Sequence, residues 1–160
     1  HTQTLAAMNP LADSYEDLFD VACRIGILPA ELSQLFLLMT MNVLSGNIDD
    51  HNKNFSFMMA SDGVWHITPT YDFTFSVDTS VPGYINRHCL TINNKNADIE
   101  RADLLQIAKR YNIKGAESII NKAVDVVSNY SHYAQLAGIS NEWTNKILEE
   151  INYRIERVNS

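Results

Sequence analysis

The sequence predicts a mainly α (α+β) fold: a helical body with one small β-hairpin insert. Three observations carry this. Apolar residues recur at three- and four-residue steps over most of the chain, one short stretch switches to two-residue alternation around Asp62-Gly63, and 46% hydrophobic against 19% charged residues is the balance of a chain that buries a core. At 160 residues, with no internal repeat, low-complexity run or linker, a single domain over residues 1–160 is expected.

Taken in order, Ser14-Tyr15-Glu16-Asp17 places a capping hydroxyl before two first-turn acids, and Leu18, Val21, Ala22 and Ile25 continue on one face until Gly26 ends the helix. Pro29 opens a second helix, in which Leu32, Leu35, Phe36, Met39, Val43 and Leu44 lead down to Gly46. So much apolar surface marks it as central and buried. After Asn54 the period changes. Phe55 to Met59 and Val64 to Thr68 flank Ser61-Asp62-Gly63, whose glycine supplies the positive φ of a hairpin turn, and Pro69 closes the pair. Phe73 to Arg87, with Pro82 and Gly83 and no sustained period, reads as a functional loop, followed by a short strand from Cys89 to Ile92 and an Asn93-Asn94-Lys95-Asn96 turn. Three helices complete the chain, at about Arg101–Tyr111, Ala116–Leu136 and Asn141–Val158. Trp143 falls on the apolar face of the last, and Glu149, Glu150 and Glu156 on a solvated one.

Composition disfavours several function classes. Net charge is −7 and the 12 Lys and Arg residues are scattered, so there is no basic stripe for a phosphate backbone and no direct nucleic-acid contact is expected. The apolar run from Leu35 to Leu44 is broken by Thr40 and Asn42 and is too short to span a bilayer; neither a signal peptide nor a membrane helix is found. Cys23 and Cys89 lack paired spacing and are expected to be reduced, buried small apolar residues, which fits a cytoplasmic protein. His66 and His88-Cys89 lack a second clip of zinc-binding spacing, and strand packing accounts for them better. Phe55, Phe57 and Trp65 alternate as hairpin core residues and not as a base-stacking platform.

The chemistry sits in Gly46-Asn47-Ile48-Asp49-Asp50-His51-Asn52-Lys53-Asn54 and in Tyr71-Asp72-Phe73. Transfer of a γ-phosphoryl group needs a carboxylate near the attacking hydroxyl, and carboxylate and amide oxygens that hold Mg2+ against the nucleotide phosphates. Asp49 and Asn54 stand five residues apart, the separation of the base and the metal-binding Asn in a protein-kinase catalytic loop. Asp72 follows one hairpin later, where such a kinase places its Asp-Phe-Gly ligand, with Thr74 in the glycine's place. An isolated Asp-x-x-x-x-Asn would be a solvated turn. The buried helix before it, the hairpin after it and the second acid set this one apart. Asp50 should point away from Asp49 on an extended segment and is read as a solvated neighbour outside the site.

The string Asp49-x-His51-x-x-Asn54 looks like the loop of phosphoinositide-type lipid kinases more than the His-Arg-Asp loop of ordinary protein kinases. The flanks extend the likeness: Asn42-Val43-Leu44, Phe55-Ser56, Pro69-Thr70-Tyr71-Asp72-Phe73-Thr74, Leu90-Thr91-Ile92-Asn93-Asn94-Lys95 and Asp103-Leu104-Leu105. Over about Thr2 to Ser131 the chain resembles the C-terminal portion of the HipA-like serine/threonine kinases of bacterial toxin–antitoxin systems. The resemblance implies a kinase-like C-terminal lobe in which Asp49 orients or deprotonates the substrate hydroxyl while Asn54 and Asp72 hold Mg2+ against ATP. It gives Lys53 the neutralising of developing phosphate charge and His51 the bracing of the loop. It further implies a translation-related protein substrate, such as an aminoacyl-tRNA synthetase, and a DNA-binding antitoxin as partner.

A kinase also needs an N-terminal lobe with a glycine-rich loop and a strand lysine. Gly26 is the only glycine before Gly46 and no lysine precedes Lys53, so this nucleotide-clamping lobe is expected to be absent from the chain. The chain is then a fragment, a separately encoded lobe or an inactive remnant, with little or no kinase activity alone; His1 in place of Met favours the first. Two other classes stay open. One is a metal-dependent phosphoesterase with Asp49, Asp50 and Asp72 around two metals, which Asn54 weakens. The other is a non-catalytic interaction module.

Overall fold

A cap at one end and a left-handed stop at the other define the two helices that carry the candidate site. The computed structural model describes residues 1–80 and 86–160. Helix α2 (Tyr15–Arg24) starts at Ser14, whose hydroxyl accepts from the Asp17 amide at 3.1 Å and donates to the Asp17 carboxylate at 2.6 Å. Helix α3 (Pro29–Ser45) has proline in its first turn and ends where Gly46 turns left-handed at φ 71°. A Cβ on Gly46 would lie 2.9 Å from Val77 Cγ2, so both conformation and space require glycine there.

The expected hairpin forms as β2 (Ser56–Met59) and β3 (Trp65–Ile67), antiparallel, with Phe57 opposite Ile67. An unforeseen third strand, β1 (Thr2–Thr4), pairs antiparallel with β2, Gln3 opposite Phe57, giving the order β1-β2-β3. Three residues are too few for alternation to show; pairing alone makes them a strand. One turn of helix, α1 (Leu5–Met8), follows, and the Leu5 and Ala6 amides tie it to Phe55 and Asn52 carbonyls at 2.8 and 3.1 Å.

The C-terminal part contains α4 (Arg101–Arg110), α5 (Ala116–Ser128), α6 (Tyr130–Leu136) and α7 (Asn141–Asn159). The single helix expected over 116–136 breaks at Asn129. Its side-chain amide donates back to the Asp125 carbonyl at 2.7 Å, and the Ser128 hydroxyl donates to the Val124 carbonyl at 2.7 Å, local bonds that compete with the helical ladder. Helix α3 is the hub: α2, α5 and α7 all pack on it. Its Phe36, Met39 and Leu44 are fully buried together with Tyr15, Phe19 and Phe57.

The strand expected from Cys89 to Ile92 reduces to isolated bridges, Thr91 with Ser14 and Ile92 with Lys95, the latter closing a turn through Asn93 and Asn94 at positive φ. Side chains still alternate along it, with His88, Leu90 and Ile92 buried. That alternation turns Cys89 outward, contrary to expectation. Cys23, beside the buried stripe of α2 instead of on it, is exposed as well, and both thiols are free. Trp143 also departs from its expected place, 52% exposed under the Lys146 ammonium at 5.0 Å; α7 instead buries Ile151 and Val158. Residues 73–80 of the expected loop are irregular, and its Pro82 and Gly83 lie outside the described residues. Among the described residues no helix is long and apolar enough to cross a membrane.

Candidate active site

The loop leaves α3 through Gly46 and is tied on both edges. On one side the Ile48 and Asp49 amides both donate to Ser76 Oγ, at 2.8 and 3.0 Å, while the Ser76 amide donates to the Gly46 carbonyl at 3.1 Å. On the other, the Cys89 amide donates to the Ile48 carbonyl at 3.0 Å. The loop then folds on itself: Asn54 Nδ2 donates to the Asp49 carbonyl at 2.9 Å, the Asn54 amide to the His51 carbonyl at 2.9 Å, and the Lys53 amide to His51 Nδ1 at 3.3 Å.

Asp49 presents a solvent-exposed carboxylate, 3.8 Å from His51 Nε2 and 3.7 Å from the donating Cys89 thiol. Although the residue is exposed, partial desolvation of its sulfur, then the charges of Asp50 and Asp49, push that thiol up to about 11. Lys53 is exposed, and its carbonyl accepts from the Tyr71 hydroxyl at 2.8 Å. Tyr71 also bonds Ser56 Oγ at 2.5 Å, so the Tyr-Asp-Phe run is anchored directly on the loop. Asp72 sits left-handed at φ 52°, a conformation that Asp tolerates better than most residues. Asn54 and Asp72 line one cavity of ≈ 10 Å³ together with Asn47, Asp50, Tyr71 and Phe73. Asp49 does not line it: its link to the cavity is the Asn54 amide on its own carbonyl.

Asp50 overturns the expectation for it. It does point away from Asp49, but inward, to 1% exposure. Its Oδ2 accepts from the Tyr15 hydroxyl at 2.7 Å and from His88 Nδ1 at 2.8 Å; its Oδ1 accepts from the Cys89 amide at 2.8 Å and the Leu90 amide at 3.4 Å. Tyr15 accepts from Asn42 Nδ2 at 2.9 Å, and Asn42 Oδ1 from Asn47 Nδ2 at 3.0 Å. Burial and then the Asp50 charge raise the Tyr15 phenol well above its ordinary range, so it remains a donor. Sequence reasoning assigned Tyr15, Asn42, Asn47, Ser76 and His88 no individual role in the site. Asn42, a polar residue inside the apolar stripe of α3, was the one available signal.

An oxygen-preferring divalent cation suits the cavity's donors. Asn54 and Asn47 have their amide nitrogens committed, to the Asp49 carbonyl and to Asn42, which leaves their carbonyl oxygens for a ligand. Asn47 Oδ1 is buried without a hydrogen-bond partner among the described residues, and Asn47 lines the cavity together with Asp72. Asp50 cannot join a two-metal cluster while four donors occupy its oxygens. Among the described residues no group of three or more His, Cys, Asp and Glu side chains is placed to hold a metal.

Fold and site define a helical lobe that presents amide and carboxylate oxygens where its central helix ends. The chain belongs to the family of HipA-like C-terminal domains, whose model matches residues 2–156. No curated protein matches it significantly. Among solved structures, it is similar to a chain in the Shewanella oneidensis MR-1 toxin–antitoxin complex of HipA, HipB and operator DNA, at 17% identity and a TM-score of 0.61. The match covers 90% of this chain and 34% of that one, so this chain spans about a third of that relative. At that identity the likeness is one of fold.

Proposed function

We propose that this chain is the catalytic C-terminal lobe of a HipA-like, ATP-dependent protein serine/threonine kinase, the toxin of a bacterial toxin–antitoxin module. The observation that carries the proposal is Asn54: its amide nitrogen closes the loop on Asp49, and its side chain shares a cavity with Asp72. Asp49, exposed, is within reach of a protein hydroxyl and orients or deprotonates it. Asn54 and Asp72, with Asn47 on the same cavity, would hold Mg2+; Mg2+–ATP would supply the phosphoryl group, with the cation offsetting phosphate charge. Lys53 and His51 stand at the open side of the loop, where Lys53 neutralises phosphate charge and His51 braces the turn.

The lobe works with an N-terminal partner lobe that clamps the nucleotide. In support, an apolar cavity of ≈ 570 Å³ opens next to Asn54, between Leu38 and Met41 of α3, Phe57 and Ile67 of the sheet, and Phe73. The enzyme acts in the cytoplasm on a translation-related protein and is restrained by a DNA-binding antitoxin, without direct contact of this lobe with nucleic acid or membrane. Product analysis tests the proposal. The chain completed by a nucleotide-clamping lobe should convert ATP to ADP and a phosphoprotein, and the 160 residues alone should show little or no transfer. Release of free phosphate or cleavage of a phosphoester, with no phosphoprotein, contradicts it.

A further inference from the structure

Asp50 has no part in the reaction described above, yet it is more thoroughly held than the residues that do. Its donors come from two distant parts of the chain: Tyr15 at the start of α2, and the His88 side chain with the Cys89 and Leu90 amides on the segment before α4. Through Tyr15 the same connection continues to Asn42 on α3 and ends at Asn47, which lines the cavity and whose Oδ1 has no partner among the described residues. The connection thus begins and ends in the loop, bracketing Asp49.

Burying a carboxylate is costly, and well-packed apolar residues often stabilise a fold as well as a buried ionic group does, so what such a group adds is orientation. Neighbours on an extended segment face opposite ways. A carboxylate pinned on the inner side therefore fixes the direction of the one on the outer side. Among the described residues Asp49 has no comparable anchor: its side chain meets the Cys89 thiol at 3.7 Å and His51 at 3.8 Å.

We propose that Asp50, clamped by Tyr15 and His88, is the positioning residue of the site, setting the direction of the Asp49 carboxylate and, through Asn42, the Asn47 oxygen. The proposal rests on the kinase role given to Asp49. An Asn at this position offers one acceptor oxygen where four donors converge. Displacement of a reacting group by about 1 Å costs on the order of 100-fold in rate. Asp50→Asn should accordingly lower kcat on the order of 100-fold and leave the KM for ATP within about two-fold, because the clamp does not touch the nucleotide. His88→Asn keeps a side-chain donor near the place of Nδ1 and should stay within about three-fold of wild type, whereas His88→Ala should fall about as far as Asp50→Asn. Tyr15→Phe, which keeps the ring, should lose about ten-fold.

The experiment is steady-state phosphate transfer, in the chain completed by a nucleotide-clamping lobe, for these variants and Asp49→Asn, with amide hydrogen exchange of residues 48–54 measured on the same proteins. Expected are the kcat losses above, rescue by Asn but not Ala at position 88, and exchange in the loop at least about ten-fold faster in Asp50→Asn with α3 amides unchanged. Wild-type kcat in Asp50→Asn or Tyr15→Phe, equal behaviour of the two His88 variants, or a loss confined to KM overturns the proposal. If wild type transfers no phosphate, or Asp49→Asn loses nothing, the kinase role itself falls. The exchange measurement then decides the clamp alone, and unchanged loop exchange in Asp50→Asn overturns it.

Discussion

Residues 46–54 form neither helix nor strand, whereas α6 and α7 are regular throughout. Burial and bonding run the other way. The loop buries Gly46, Asn47 and Asp50 and receives bonds from Tyr15, Asn42, Ser76 and the segment at 88–90. Helix α6 buries only Ala134, and α7 only Ile151 and Val158, while Tyr133, Leu136 and Trp143 are 52%, 73% and 52% exposed. A helix satisfies its own backbone and can stand on a thin apolar seam; an irregular loop is fixed only by what distant parts of the chain bring to it. Regularity and rigidity are separate properties here, and the candidate chemistry sits where rigidity comes from side chains.

Substitutions graded by size test that contrast. Phe36→Ala, at the centre of α3, should cost about 3–5 kcal/mol in denaturant unfolding, the largest single loss expected. Gly46→Ala should cost about 2 kcal/mol, from the left-handed backbone and the 2.9 Å approach to Val77 combined. Tyr15→Phe removes one buried donor to Asp50 and should cost about 1–3 kcal/mol. Trp143→Ala, despite losing the largest side chain of α7, should stay within about 0.5 kcal/mol. A larger loss at Trp143 than at Tyr15 would invert the comparison and place the rigid region in the C-terminal helices.

A finer probe is the exposed Cys89 thiol, pushed up to about 11 chiefly by partial desolvation and then by the Asp50 and Asp49 charges. Only the thiolate is alkylated, so a raised value means slow labelling at about pH 8 and a rate that climbs as pH rises toward the value itself. Asp49→Asn removes one raising charge and should speed labelling at fixed pH by a few-fold. An unchanged rate, followed by mass spectrometry, would separate Cys89 from the front of the site.

Much of the architecture was legible because it is written locally. Ser14, Gly26, Pro29 and Gly46 bound the first two long helices through cap and stop chemistry, and Asp62-Gly63 marks the hairpin, each within a few residues of what it controls. Strand β1 was not legible, since it exists only by pairing with β2 more than fifty residues away. The break at Asn129 depends on a side chain choosing the Asp125 carbonyl over solvent, which apolar periodicity does not record. In the candidate site, Asp49, Asn54 and Asp72 were singled out by spacing; Asn54 bonds the Asp49 carbonyl and lines a cavity with Asp72. Asp50 was misjudged for a physical reason. The alternation rule gives a direction relative to Asp49 but not which side is inside, and its partners Tyr15 and His88 lie 35 and 38 residues away.

The most direct measurement of the central claim is phosphoprotein formation from ATP and Mg2+ by the chain completed with a nucleotide-clamping lobe, wild type against Asp49→Asn. Loss of a positioned catalytic carboxylate should reduce transfer on the order of 1,000-fold while ATP still binds. Transfer by Asp49→Asn within about two-fold of wild type, or an unchanged biological effect of that variant, would contradict the account and leave this lobe an interaction module.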